Sequence, residues 1–540
     1  MLNRTRRELF ADIGKGMIAA SVGTAFAADL GFGTAFAAEE STRLTFGDLD
    51  PLVNFLQETP PDKLVAGVVA KLKSGTELKQ LVAAAALTNA RAFGGEDYIG
   101  FHTLMALAPA YQMSQEEPKA ELKPLAVLKV LHRNASRLKD WGNAKETLKP
   151  VKPVELATDR RGGEHLRDAA RKHDMAAAEG IFANICAAGT PEHALNELMV
   201  EVDDATEVHR VVLVSRAWDL TRFVGTERAA TMLRQSVHYC VNGEKNQNQA
   251  KYNAPIRELL PKLLDTHKLH DERKQREADD EWTPAFAEVL FNASAADAAG
   301  AVAAAIADGI SANAIGEALS LAANQLILRD EGRPKAGASA GKPEGSIHGD
   351  SVGVHSCDTI HAWRNLASIG DRRTRVTSLI LAGYQVGRDR TSRGEFLKWD
   401  AYPRADHAEK VKGLPADGLM KELDGAIRDK DQARAAALTA RIGAEKAAPA
   451  KDVFALFRGY AVSEDGALHA EKFYATATDE FARARSAGAW RQLIALQQFP
   501  ASGIRLEKLD FGEPLGPQRV TLGRSSVPVV VPGTPLAGRL

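Results

Sequence analysis

The chain has 540 residues, with 69 Lys plus Arg against 70 Asp plus Glu and a formal charge of −1. That balance excludes the basic excess by which most nucleic-acid binders are recognised. Hydrophobic residues at 45% and charged residues at 26% are values of a soluble globular protein. Three cysteines (Cys186, Cys240 and Cys357) are too few and too odd in number for a disulfide scaffold.

The first segment in chain order reads as an address. Thr5, Arg6, Arg7, Glu8, Leu9 and Phe10 resemble the twin-arginine export motif, and an apolar stretch from Ile13 to about Phe36 follows. Ala35, Phe36, Ala37 and Ala38 then form a small-x-small cleavage pattern, so residues 1–38 are expected to be a signal peptide. The expected mature protein is bacterial, exported folded by the twin-arginine machinery, and periplasmic or secreted. No later segment reaches the ~20 apolar residues of a membrane span.

From Asp50 to about Gln498 the sequence reads as helix. Apolar residues recur at three and four spacing over 62–73, 78–92, 98–113, 122–138, 193–203, 208–222, 228–241, 300–308 and 312–328. No alternating β-branched run with Asn-Gly turns suggests a sheet. Three stretches interrupt the pattern as insertions or linkers: about 142–163, rich in Lys, Pro and Gly; 242–282, heavily charged and read as a solvated helix face; and 329–353, rich in Gly, Ala, Pro and Ser. The fold class predicted is all-α, one large helical domain over 39–510, with an extended tail at 511–540. About four degenerate helical units are expected around a central site.

Histidines mark those units. Four helical runs open on His102, His209, His355 and His469, at spacings of 107, 146 and 114 residues. A second polar residue recurs 29 or 30 positions later, as His132, His238, Gln385 and Gln498. Imidazole is the commonest ligand for Zn, Fe, Cu and Ni. Short Cys-x-x-Cys spacing and a His-Glu-x-x-His pair are both absent, which disfavours structural or hydrolytic zinc sites. Four imidazoles without an evident carboxylate point to a redox metal, iron first, with zinc, copper or manganese as alternatives.

Bland readings stand beside these. Taken alone, His102 on its apolar helix is a core residue, and His209 between Glu207 and Arg210 is a surface one. His348, His355, Cys357 and His361 crowd fourteen residues, with Cys357 and His361 on one helix face. His132, His238 and His361 are candidates for supporting the ligands or contacting substrate during catalysis. Tyr98, Trp363, Tyr384 and Trp399 are candidates for substrate stacking.

Three stretches resemble the questin oxidase-like family: Ile99 to Leu107 around His102, His355 to Arg364, and Leu468 to Ala477 with His469 and Lys472 at i, i+3. The family is mostly helical and includes oxygenases of polyketide aromatic rings. The resemblance implies non-haem iron held by His102, His209, His355 and His469, with Lys472 carboxylated to supply an anionic oxygen. Where members often carry a second His four residues after the first, this chain has Ala106. The reading that follows is an exported non-haem iron oxygenase whose partners are O₂ and a small aromatic or polyphenolic substrate. A catalytically inert helical-repeat scaffold of the cell envelope and a zinc-dependent hydrolase are the alternatives. The scaffold reading expects the four histidines scattered.

Overall fold

The structure, a computed structural model, describes residues 43–498 except 142–145, 340–343, 348, 350, 393 and 464–467. The expected signal peptide at 1–38, the tail at 511–540 and His348 lie outside the described residues. Twenty-two α-helices and no strand occur among the described residues, with one isolated bridge between Arg276 and Ile310. No described helix is long and apolar enough to cross a membrane.

The helices run in sequence as α1 (Asp50–Glu58), α2 (Pro61–Lys73), α3 (Leu78–Phe93), α4 (Tyr98–Glu116) and α5 (Leu125–Trp141). Next come α6 (Gly162–Arg171), α7 (Met175–Ala188), α8 (Pro191–Val202), α9 (Val208–Val224), α10 (Ala229–Glu244) and α11 (Gln247–Thr266). Then follow α12 (Trp282–Asn292), α13 (Ala295–Ala307), α14 (Ala312–Leu328), α15 (Val352–Ile369) and α16 (Arg372–Ser392). The last are α17 (Ala405–Val411), α18 (Leu419–Arg428), α19 (Gln432–Glu445), α20 (Ala450–Ser463), α21 (His469–Arg483) and α22 (Ser486–Gln498).

Four of these form the centre. Helix α4 packs on α9, α9 on α15, α15 on α21, and α21 back on α4, closing a ring. Each is flanked by chain neighbours: α3 and α5 on α4, α10 on α9, α14 and α16 on α15, α20 and α22 on α21. Position in the ring explains composition. Residues 100–110 of α4 and 210–217 of α9 are buried without interruption, as are 356–364 of α15 and 469–477 of α21. A helix enclosed on all sides carries no polar stripe, so the apolar periodicity blurs there and the few polar side chains face the axis or a specific partner.

Small residues set the close approaches. A Cβ on Gly353 would meet the backbone of Ile327 at 2.5 Å, so glycine lets α15 lie against α14. Three of the four ring helices start on side-chain caps: Asp97 accepts from the Gly100 amide, Glu207 from Arg210 and Ser351 from Gly353 and Val354.

The three expected interruptions differ from one another. Residues 146–161 are extended and strap the outside, with the Thr147 and Leu148 amides donating to the Arg91 carbonyl and Val154 to Gly180. Much of 242–282 is helix, because Ile256, Leu260 and Leu263 bury one face of α11 at i, i+4, i+7 spacing despite the surrounding charge. The described residues between Asp330 and Ser351 form no α-helix and include a 3₁₀ turn at Lys335–Gly337.

Candidate metal centre and the ring axis

His102, His209, His355 and His469 each fall in the first turn or so of a ring helix, and the ring brings all four to one end of its axis. The Nε2 atoms of His102 and His209 stand 3.2 Å apart, and those of His355 and His469 stand 3.3 Å apart. The pairs adjoin: ring centroids of His102 and His469 are 5.1 Å apart, and those of His209 and His355 are 5.9 Å apart. Among the described residues no group of three or more His, Cys, Asp or Glu side chains is arranged to hold a metal ion; the imidazoles approach as two close pairs. For metal–nitrogen bonds of about 2.1 Å, neighbouring ligand atoms lie roughly 3.0 Å apart in an octahedron and 3.4 Å in a tetrahedron. The two close pairs fall in that interval.

The opposite ring nitrogens fix the tautomers. His102 Nδ1 is 2.6 Å from the Tyr98 carbonyl, one turn earlier on α4. A carbonyl only accepts, so Nδ1 carries the proton and Nε2 presents its lone pair. His209 Nδ1 lies 2.9 Å from Glu207 Oε1, and the Tyr239 hydroxyl donates to Glu207 Oε2 at 2.8 Å. Burial raises the Glu207 carboxyl, but His209 and Tyr239 outweigh it and hold it ionised, down to about 2. Burial, and then the charge of Lys472, His209 and His469, push His102 well below its usual range, so it is neutral. Two imidazoles whose Nδ1 protons are committed face each other with Nε2 lone pairs at 3.2 Å. That contact is closed by a proton on one Nε2 or by a cation between the two rings.

On the other side of the cluster the backbone closes in. A Cβ on Gly349 would lie 2.3 Å from His469 Nδ1, so only glycine lets the loop before α15 rest on that ring. Leu468 takes φ 65° immediately before His469, a left-handed turn that costs a bulky residue of order 1–3 kcal/mol. The outer wall is aromatic. Tyr98, 59% exposed, has its ring 4.4 Å from His102 and 5.6 Å from His209, and Phe101 and Tyr239 meet edge to face behind.

Lys472 sits one turn along α21 from His469 and is buried. Burial first, and the Arg216 guanidinium next among the groups acting in that direction, lower its ammonium to about 8, against the opposing pull of Asp358 and Glu471. Asp358, one turn along α15 from His355, accepts from the Thr476 hydroxyl at 2.8 Å.

The remaining sequence candidates go elsewhere. His132 is exposed on α5, away from the ring interior. His238 is buried on α10 with Nδ1 2.8 Å from Glu96 and Nε2 2.7 Å from Glu179, both nitrogens in use. The two acids outweigh the effect of burial and raise it above its usual range. His361 is buried on α15, with Nδ1 2.9 Å from Glu480 and Nε2 3.0 Å from the Asn365 amide. Trp363 is fully buried core, and Tyr384 and Trp399 pack against the core part-buried. Of the four stacking candidates, Tyr98 adjoins the histidines. Gln385 is buried and bonds Asp389. The recurrence at 29 or 30 residues thus falls on α5, α10, α16 and α22, the helices that follow the ring helices, but brings no residues together.

Sequence reasoning missed a second layer. The residues ten positions after each histidine, Gln112, Asp219, Asn365 and Asp479, all line one cavity of 630 Å³. Ten residues of α-helix rise about 15 Å, so the four ring helices are parallel, with the histidines at their N-terminal end and the cavity at their C-terminal end. The same phase that aligned the histidines would have found it, since all four residues are polar. Glu207 was also missed; its place two residues before His209 was the only signal.

No family model, no curated protein and no solved structure matches this chain.

Proposed function

We propose that the four imidazoles hold one transition-metal ion, iron first, in an exported oxygenase of a small aromatic or polyphenolic molecule, as the questin oxidase-like resemblance implies. The observation that carries the reading is the meeting of four helix-leading histidines whose Nε2 atoms face one another in pairs. Such an ion supplies dioxygen activation at an open coordination position. The chain's own residues do the rest. Tyr98 carbonyl and Glu207 orient two of the rings and fix their tautomers. Tyr98, Phe101 and Tyr239 offer an apolar wall on which an aromatic ring can lie beside the cluster. Lys472 is suited to carboxylation, because an amine lowered to about 8 is partly neutral near pH 7.5 and its nitrogen can take up CO₂, releasing a proton. The resulting carbamate would be the oxygen ligand of the set.

Coordination number separates this reading from the zinc hydrolase. Four nitrogen ligands saturate a tetrahedral ion and leave no place for a reactive water, whereas a six-coordinate ion keeps open positions. Convergence of the rings also favours an enzyme over the scaffold. Elemental analysis of the purified full chain tests the proposal. About one iron per chain is expected, lost when His102→Ala and His355→Ala are combined. Absence of any stoichiometric transition metal, or metal retained by that double variant, overturns it.

A further inference from the structure

We propose that the cavity at the C-terminal mouth of the ring is a second ligand site, built for a small aromatic carboxylate and separate from the histidine end. At 630 Å³ it has the size of a small-molecule site. Its floor is Arg216, one turn before the Asp219 layer and 4% exposed. A guanidinium has five N–H donors. The bonds Arg216 makes are long: 3.5 Å to Asp219 Oδ2 and 3.5 Å to the Thr476 hydroxyl. Its charge faces Asp358 and Asp479 as well as Asp219, but its donors are used only in long bonds, and a buried arginine so placed on the wall of a cavity is a seat for a single anion that can take two parallel N–H bonds.

The walls define the rest of the ligand. Tyr111 and Phe223 meet edge to face at 5.0 Å, and Trp218 lines the same space, so a planar apolar body is matched. Charge limits the anion to a single one. Asp219 and Asp479 also line the cavity, and a dianion such as phosphate would face both. Lys79, Arg222 and Arg483 at the rim favour entry of a negative ligand. Gln112 and Asn365 supply neutral polar contacts at the depth of the two acids.

The histidine cluster lies about 15 Å away along the axis, so this site stands whether or not the metal reading does. Calorimetric titration of the full chain with 2-naphthoate tests it. One saturable site is expected, with 2-naphthamide, of the same shape and uncharged, binding about tenfold or more weakly. Arg216→Gln should weaken 2-naphthoate by a similar factor, and Trp218→Leu should weaken both ligands. The double variant His102→Ala, His355→Ala should bind 2-naphthoate unchanged. Equal affinity for the amide, no saturation at millimolar ligand, or loss of binding in a folded histidine double variant overturns the proposal. The amide comparison uses the unaltered protein and holds even if Arg216→Gln does not fold.

Discussion

The two ends of the ring are made by the same four helices, yet they present opposite chemistry. At the N-terminal end four imidazoles meet under an aromatic wall, with one ionised carboxylate behind them. At the C-terminal end a wide cavity is lined by both acids and arginines. Distance along the helix is what changes. Three residues on from the histidines the axis carries Asp358 and Lys472, seven on Arg216 and Thr476, ten on Asp219 and Asp479. A parallel ring thus turns sequence offset into depth, and one helix can serve two sites that meet only through Arg216, Thr476 and Asp358 in the middle.

The largest expected effect comes from cutting the tie between two ring helices at the C-terminal end. Glu480 on α21, one residue past Asp479 of the cavity layer, is buried and bonds both Arg364 and His361 of α15. Glu480→Gln leaves the buried Arg364 guanidinium without its counterion and His361 with Asp479 alone, 3.4 Å from Nε2, and a loss of about 3–5 kcal/mol in denaturant unfolding is expected. If the two ends are mechanically independent, metal content survives in the fraction that stays folded; loss of metal there would join the ends into one unit.

Acid should act through the same carboxylates. Burial raises Glu480, but Arg364 and His361 outweigh it and hold it down to about 2. A depressed carboxyl stabilises the fold above its unfolded value of about 4.3, and that stability is lost as pH falls from there toward 2. His361 works with the opposite sign. The acids outweigh burial and raise it, so its contribution is complete below the unfolded imidazole value of about 6.5 and fades as pH rises through the folded one. Unfolding free energy should therefore fall on both sides of a plateau between about pH 4.3 and 6.5, and Glu480→Gln should flatten both slopes. A wild-type profile without an acid slope would contradict the assignment.

Next in size is an effect confined to the N-terminal end. Glu207→Gln keeps the helix cap's oxygen but removes the charge that orients His209, and residues behind a ligand are worth about 10–100-fold in metal affinity. Competition with a chelator measures it, and binding of 2-naphthoate at the far end should not move. An unchanged metal affinity would detach Glu207 from the centre.

These contrasts also show what a sequence can carry. Helical period and histidine phase are local properties of the chain, so the all-α class and the four residues that meet are legible in the order of the amino acids alone. The direction in which an outer helix faces is not local. His132, His238 and Gln385 share a phase, yet one is exposed, one lies between Glu96 and Glu179, and one bonds Asp389, because the packing of α5, α10 and α16 differs. The charge of 242–282 reads as a solvated helix face within an insertion, and α11 adds to that the three apolar contacts by which its other face is buried. The cavity layer is written in the chain at a ten-residue offset, but its meaning depends on the helices being parallel, which only the closed ring supplies.

The smallest effect separates floor from rim at the C-terminal end. Arg222 is exposed, and its guanidinium lies over the Phe223 ring at 5.0 Å, while Arg216 is buried. Arg222→Gln should change stability by no more than about 0.5 kcal/mol, since it breaks no buried contact. Its influence on an anionic ligand acts through water and is screened beyond about 8 Å at 0.15 M salt. A modest weakening of 2-naphthoate at low salt should therefore vanish as salt is added, whereas the loss in Arg216→Gln should persist. Equal salt sensitivity in the two variants would place both arginines in the same solvated shell and remove the reason for a buried seat.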